Sequence, residues 1–158
     1  PLNEALSFVS AALQEYGLKK SVRVLASGKI ITGFDILKAI SLGADACYSA
    51  RGMMFSLGCI QALQCDSGKC PVGIATQNPK LYKGLDVTDK KVRVANFHAN
   101  TMKATLELME ACGFKKTDDV HASKFFKRID IVETKSFQDI YFNDPTTLVK
   151  GKKFHHLN

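Results

Sequence analysis

With 158 residues, 46% of them hydrophobic and 23% charged, the chain has the composition of one compact soluble domain or of part of a larger one. No run approaches the ~18 apolar residues of a membrane span, and the opening segment, with Glu4 and Glu15, lacks the basic-then-apolar order of a secretory signal. The net charge of +7 invites a nucleic-acid partner, but the lysines lie in scattered pairs (Lys19-Lys20, Lys90-Lys91, Lys115-Lys116, Lys152-Lys153) without interleaved aromatics, which reads as solvated surface.

Asn3 is placed to cap a first helix whose apolar positions Leu6, Val9, Leu13 and Tyr16 recur at helical spacing, and Gly17 ends it. Val22 to Ala26 is short and β-branched and predicts a strand. Ser27-Gly28-Lys29 follows, and Thr32 opens a helix carrying Phe34, Leu37 and Ile40, closed by Gly43. Ala44 to Tyr48 predicts a second strand, followed by Ser49-Ala50-Arg51-Gly52 and a helix from about Met53 to Gln64. Such alternation with short connections implies parallel strands joined by helical crossovers, an α/β class. Two strands leave both faces and both edges of a parallel sheet uncovered, so the rest of the sheet is expected upstream of Pro1, where the chain begins without an initiator Met.

Beyond an ordered loop from Ala75 to Gly84, Thr88-Asp89 opens the longest predicted helix. Its stripe of Val92, Ala95, Ala99, Met102, Leu106 and Met109 reads as core packing, and Gly113 ends it. Asp118 to Arg128 predicts one more short helix, and residues 129–158 read as a peripheral tail with a basic end, Lys150-Gly-Lys-Lys-Phe-His-His.

Three of the five cysteines fall in Cys59-Ile-Gln-Ala-Leu-Gln-Cys65-Asp-Ser-Gly-Lys-Cys70-Pro-Val-Gly73. The spacing is not that of a zinc finger or ribbon. A single helix would put Cys59 and Cys65 on different faces, so the backbone must turn, and Asp66-Ser67-Gly68 and Pro71-Val72-Gly73 supply breakers. Three thiolates around an iron–sulfur cluster, a structural zinc site and free thiols are the readings this pattern allows. Cys47 and Cys112 sit in apolar contexts and read as buried small hydrophobes, and His98 on the long helix as an ordinary core or surface histidine. Clustered cysteines without a secretory signal point to a reducing, cytoplasmic setting.

The turns after the two strands form a second candidate site. In a parallel αβ sheet, ligands sit at the carboxyl ends of the strands, where backbone N–H groups accept anions. Ser27-Gly28-Lys29 and Ser49-Ala50-Arg51 each offer a hydroxyl, close-approach backbone and a cation, the chemistry of a phosphate site. The alternative is that Gly28 and Gly52 only make tight turns beside a solvated Lys and Arg. No nucleophile–base–orienter set is present, so chemistry on this chain falls to a cofactor.

Ala26-Ser-Gly-Lys-Ile-Ile-Thr-Gly33, Gly43-Ala-Asp-Ala-Cys-Tyr-Ser-Ala-Arg-Gly52 and Leu57 through Gln77, with its Cys-x5-Cys-x4-Cys-Pro-x-Gly element, resemble the glutamate synthase family. The likeness, over roughly residues 20 to 128, is to the C-terminal part of its FMN-binding (β/α)8 TIM barrel, the last two βα units; Val92 to His98 also fits the stand-alone glutamate synthase-related branch. The resemblance implies residues 1–128 as barrel with an iron–sulfur loop at 59–73, and a tail at 129–158. It implies a 3Fe-4S cluster on Cys59, Cys65 and Cys70, and an FMN phosphate held by Ser27, Gly28, Lys29, Ser49, Ala50 and Arg51. Family enzymes form glutamate from 2-oxoglutarate and glutamine-derived ammonia, with electrons from ferredoxin or an NAD(P)H-dependent subunit. The chain departs from the large synthases in Ala26-Ser27-Gly28, where Asp-Gly-Gly is common, and in Ala50-Arg51, where Gly-Thr is. Both departures point to the stand-alone branch. A non-catalytic FMN and iron–sulfur electron-transfer module is the alternative, because the flavin-ring and 2-oxoglutarate sites are expected upstream of Pro1.

Overall fold

A computed structural model describes residues 1–143; the basic end at 150–156 lies outside the described residues. Helix α1 (Leu2–Glu15) begins directly after Pro1, so Asn3 lies within the helix and does not cap it. Its Nδ2 instead donates to the Tyr141 hydroxyl at 3.1 Å. The buried face is Leu6, Ser7 and Ser10, whereas Val9 and Tyr16 are exposed. Gly17 ends the helix with φ +68°, a conformation costly for any residue with a Cβ.

Strand β1 (Leu25–Ser27) is shorter and later than expected. The reason is Asp45, just before strand β2 (Ala46–Tyr48). Its carboxylate accepts from Lys19 Nζ at 2.8 Å, Arg23 Nη1 at 3.1 Å and the Val24 N–H at 2.7 Å, so residues 19–24 are pinned to it and are not free to extend a ladder. Lys19 is therefore a tether, not solvated surface; it also donates to the Gly43 carbonyl at 2.9 Å.

This cluster is expected to make the fold acid-sensitive. Burial alone would raise the Asp45 carboxyl, but the bonds from Lys19, Val24 and Arg23 outweigh it and hold it at about 2, against an ordinary 3.8. A carboxyl depressed in the folded state contributes stability above its unfolded value and loses it as pH falls through the folded one. The expected contribution is about 2 kcal/mol at neutral pH, lost between about pH 4 and pH 2. Denaturant titrations of the intact protein across that window check it, since Asp45→Asn should be less stable at pH 7 and flatter on the acid side.

Helix α2 (Gly33–Ser41) starts as predicted at Thr32, whose hydroxyl accepts the Asp35 N–H while the Asp35 carboxylate accepts the Thr32 N–H, a reciprocal capping box. It joins β1 to β2, which pair in parallel with Leu25 opposite Ala46 and Ser27 opposite Tyr48. The face carrying Ala26 and Cys47 turns to the core, while Leu25 and Tyr48 on the other face are 52% and 59% exposed. A parallel pair is normally covered on both faces; this one is covered on one.

Helix α3 (Ala50–Ser56) stops well short of the predicted Gln64. Gly58 at φ +99° turns the chain, and the Gly58 and Cys59 N–H groups bond back to the Phe55 and Met54 carbonyls at 2.9 and 3.0 Å. After a short helix α4 (Pro79–Tyr82), α5 (Val87–Ala111) runs for 25 residues, capped by Asp86 and not by Thr88. The predicted core stripe of α5 is mostly open, with Val92, Met102 and Leu106 between 40% and 54% exposed and only Met109 buried. The packed face is Phe97, Thr101, Thr105 and Met109. Thr101 and Thr105 satisfy their hydroxyls on the carbonyls four residues back, both at 2.7 Å, and Thr105 lies close against Gly33 of α2.

The segment predicted as a helix from Asp118 to Arg128 is two 3₁₀ turns (Thr117–Asp119 and Ala122–Lys124) and strand β3 (Phe126–Arg128), because Val120 and His121 are extended. Strand β4 (Thr134–Ser136) pairs with β3 as an antiparallel hairpin, and a π-helical turn (Asp139–Asn143) follows. Residues 137–141 are not peripheral: Phe137 and Tyr141 are about 5% exposed and continue a ring series Phe34–Phe125–Phe137–Tyr141 with centroids 5.4 to 6.0 Å apart. They share one core with Leu6, Ala26, Leu37, Leu42 and Met109. None of the helices among the described residues is long and apolar enough to cross a membrane.

Candidate functional site

Parallel pairing of β1 and β2 sets Ser27-Gly28-Lys29 and Ser49-Ala50-Arg51 side by side at one end of the strands. A hydrogen bond ties the two turns, with Ser49 Oγ donating to the Ile30 carbonyl at 2.7 Å. That bond occupies the Ser49 proton, so Ser49 acts as a strut between the turns and can only accept from a ligand. Gly28 and Lys29 both lie at positive φ, +140° and +56°. For Lys29 this conformation costs about 1–2 kcal/mol, the kind of outlier that turns backbone N–H groups into an anion-binding concavity. Lys29 and Arg51 are both exposed, and neither has a carboxylate partner among the described residues. Ser27 and Ala50 are exposed beside them.

Gly52 answers to packing more than to its turn. A Cβ there would stand 2.6 Å from Ser49 Oγ and 3.1 Å from Phe97 Cζ. Phe97 of α5 thus backs the Ser49 turn, a role that no short-range sequence signal marks. Gly33 does the same for α2, with the Thr105 backbone nitrogen 2.7 Å from where its Cβ would be.

In the cysteine stretch, Cys70 is buried, Cys59 half-buried and Cys65 exposed. The thiol of Cys70 is drawn below its ordinary value by the N–H of Ala75 and then, against some opposing burial, by those of Val72, Ile74 and Gly73. Pro71-Val-Gly73 supplies this cradle. Gly73 takes φ +80° and lies so close to α4 that a Cβ would come 2.5 Å from the Leu81 carbonyl oxygen. N–H groups aimed at sulfur stabilise a thiolate, the form that ligates metal. Cys59 sits just past the end of α3 and not late on it, and residues 60–69 are all exposed, so nothing packs Cys65 inward. Among the described residues, no three His, Cys, Asp or Glu side chains stand together as a metal-holding group. Three thiols in one loop suit a thiolate-ligated cluster in donor type, but the structure does not bring Cys59 and Cys65 together with Cys70. Of the remaining cysteines, Cys47 is half-buried and its thiol is raised by burial, whereas Cys112 is exposed and not the buried hydrophobe its context suggested. His98 is exposed on α5.

A parallel βαβ unit followed by a cysteine-bearing loop places the chain in the mixed α/β class. The conserved region in glutamate synthase matches residues 1–115, and the chain belongs to the glutamate synthase family. It is 43% identical over 124 residues to the glutamate synthase large subunit-like protein YerD of Bacillus subtilis, which covers 78% of this chain and 23% of that one. Over the same length it is 37% identical to an archaeal glutamate synthase (NADPH) of Methanocaldococcus jannaschii, 78% of this chain and 24% of the relative. The glutamate synthase (NADPH) large chain of Bacillus subtilis is 33% identical over 131 residues, 78% of this chain and 8% of its own. The chain thus spans about a quarter of the length of the first two relatives.

Proposed function

We propose that residues 1–128 are the C-terminal part of the FMN-binding (β/α)8 barrel of a cytoplasmic glutamate synthase-type oxidoreductase. The observation that carries this reading is the pair of cations without a carboxylate partner among the described residues, Lys29 and Arg51, on two adjacent turns locked together by the Ser49–Ile30 bond. The open face of Leu25 and Tyr48 supports the barrel, whose interior is filled by side chains from further strands. In this reading Lys29, Arg51 and the N–H groups of Gly28 and Ala50 bind the FMN phosphate, and Ser27 and Ser49 set the backbone around it. Cys59, Cys65 and Cys70 hold a 3Fe-4S cluster. FMN supplies the two-electron chemistry that turns 2-oxoglutarate and ammonia into glutamate, and the cluster supplies one-electron transfer from a ferredoxin or NAD(P)H-dependent donor. This chain's own work is to orient the phosphate end, exclude water beneath it through Gly52 and Phe97, and present thiolates beyond α3.

The test is FMN content and glutamate formation in the intact protein. Lys29→Ala is expected to weaken FMN binding roughly ten- to a hundredfold, the value of one charge-assisted contact of about 1.5–3 kcal/mol, with iron content unchanged. Fluorescence titration of the apoprotein with FMN measures it. Undiminished FMN affinity in Lys29→Ala/Arg51→Ala removes the phosphate assignment. Bound FMN without glutamate from any donor favours the electron-transfer module.

A further inference from the structure

Ser10 is an exception among the buried hydroxyls of this chain. Those of Ser7, Ser41, Ser56 and Thr105 each donate to a carbonyl three or four residues back, at 2.7 to 3.1 Å. That of Ser136 donates to the Asp139 carboxylate. Ser10 shares the buried face of α1 with Ser7 and is 2% exposed, yet its hydroxyl has no hydrogen-bond partner among the described residues. A buried polar group left unpaired is costly, so it calls for an explanation.

The hydroxyl is not sealed in. Among the described residues no buried side-chain nitrogen or oxygen is cut off without a partner, and Ser10 lines a cavity of about 400 Å³. That volume falls in the range of small-molecule sites, roughly 300–1,000 Å³. The walls come from α1, from the α2–β2 connection and from the 3₁₀ turns at 117–122. Gly43 and Asp45 in the wall precede β2, so the cavity lies at the opposite end of the strand from the Ser49 turn.

The walls carry both signs of charge. Lys19 Nζ donates to the Gly43 carbonyl at 2.9 Å and to Asp45 at 2.8 Å, which leaves its third N–H without a partner among the described residues. Ser10 Oγ stands against the same Gly43. Because Arg23 also bonds Asp45, two cations meet one carboxylate there, and the group keeps a net positive charge. An anionic end is therefore accepted beside Ser10. Asp118 lines the cavity from the 3₁₀ turn; its one ion-pair partner among the described residues is Lys116 at 3.9 Å, which leaves the carboxylate available to a cationic end. Gln14 adds an amide that can both donate and accept.

We propose that this cavity is a binding site for a small zwitterion of the amino-acid type, its carboxylate on Ser10 and Lys19 and its ammonium on Asp118. The site uses neither phosphate turn and stands whether or not those turns hold a flavin.

The experiment follows the unfolding temperature of the intact protein with L-serine and L-glutamine as probes. Acetate, methylammonium and glycerol serve as probes that carry one charged end or none. The expected result is a saturable rise with at least one of the two amino acids and none with the single-ended or uncharged probes at equal concentration. Ser10→Ala removes a hydroxyl that bonds nothing in the protein, so it should fold with wild-type or greater stability. Its affinity for the amino acid should fall roughly ten- to a hundredfold, and so should that of Asp118→Asn, whose side chain is 83% exposed and not needed for packing. No rise with either amino acid overturns the proposal, as does an equal rise with acetate or glycerol. Undiminished affinity in folded Ser10→Ala/Asp118→Asn overturns it as well. Displacement of the amino acid by FMN would move binding to the phosphate turns and overturn the assignment while leaving the flavin reading intact.

Discussion

Cys70→Ala in the intact protein is expected to abolish the iron–sulfur centre and spare the flavin. The N–H groups of Ala75, Val72, Ile74 and Gly73 favour the Cys70 thiolate, so the substitution removes a ligand of the proposed cluster. The turn itself keeps a backbone tie in the variant, the Gly73 N–H donating to the Cys70 carbonyl at 3.2 Å, so the loss is of a ligand and not of the fold. The phosphate turns do not depend on it: they are joined by β1–β2 pairing, by the Ser49–Ile30 bond and by Gly52 packing on Phe97. Iron and acid-labile sulfide should therefore fall to background in Cys70→Ala while released flavin stays at the wild-type ratio. Cys112→Ala, at an exposed position outside the loop, should change neither. Wild-type iron in Cys70→Ala would remove it from the ligand set; parallel loss of flavin would mean that the two sites are one folding unit.

The parts of this chain that sequence made legible are those governed by local chemistry. Thr32 and Asp35 are three residues apart, and the reciprocal cap they form needs nothing beyond its own turn. Gly17, Gly43 and Gly113 end helices where expected because positive φ selects glycine. The parallel β1–β2 pair followed from element order and connection length. Strand positions followed less well, because Asp45 captures residues 19–24 from a different part of the chain.

Long-range packing decided the rest. Period alone ranked Val92, Met102 and Leu106 above Thr101 and Thr105 as the core face of α5, but glycines on α2 and α3 let that helix lie close along its threonine side. The β3–β4 hairpin is built from Phe-Lys-Arg and Thr-Lys-Ser, which have no alternating pattern; its register is held from outside, with the Phe137 N–H donating to the Phe125 carbonyl at 2.7 Å. In the cysteine loop, Gln61 and Leu63 at φ +57° and +54° break the run that periodicity continues to Gln64. Those two conformations are unfavourable for their side chains and lie in an exposed stretch, so nothing local encodes them. The candidate cation-bearing turns were legible as residue types; their union through Ser49 and Ile30 was not, because a hydroxyl beside a glycine reads equally as ligand or strut.

Gly43→Ala is expected to be the most damaging single methyl that can be added to the α2–β2 connection. Gly43 has φ +108°, where a Cβ costs about 1–2 kcal/mol from the backbone alone. Its Cβ would also collide with Ser10 Oγ and Cβ on α1, which has little freedom to retreat because Ser10 is only 2% exposed. Overpacking of this kind adds about 1–3 kcal/mol, for a combined loss of about 2–5 kcal/mol. Ser10→Gly removes both colliding atoms and leaves the Ser10 Cα at an ordinary 3.6 Å, though a glycine inside α1 costs about 1 kcal/mol itself. A double-mutant cycle by denaturant unfolding should thus show a favourable coupling on the order of 1–3 kcal/mol, with the residual loss in the double variant reporting the backbone term. Additive single effects would show that α1 shifts to accommodate the methyl and that strain at φ +108° accounts for the whole loss. Gly43 precedes β2, at the opposite end of the strand from Ser49, so FMN affinity in the folded double variant should match wild type. A protein that recovers stability but not flavin would show that α1 and the phosphate turns move together, through the contact of Leu2 with Gly28, where a Cβ would lie 3.6 Å from Leu2 Cδ2.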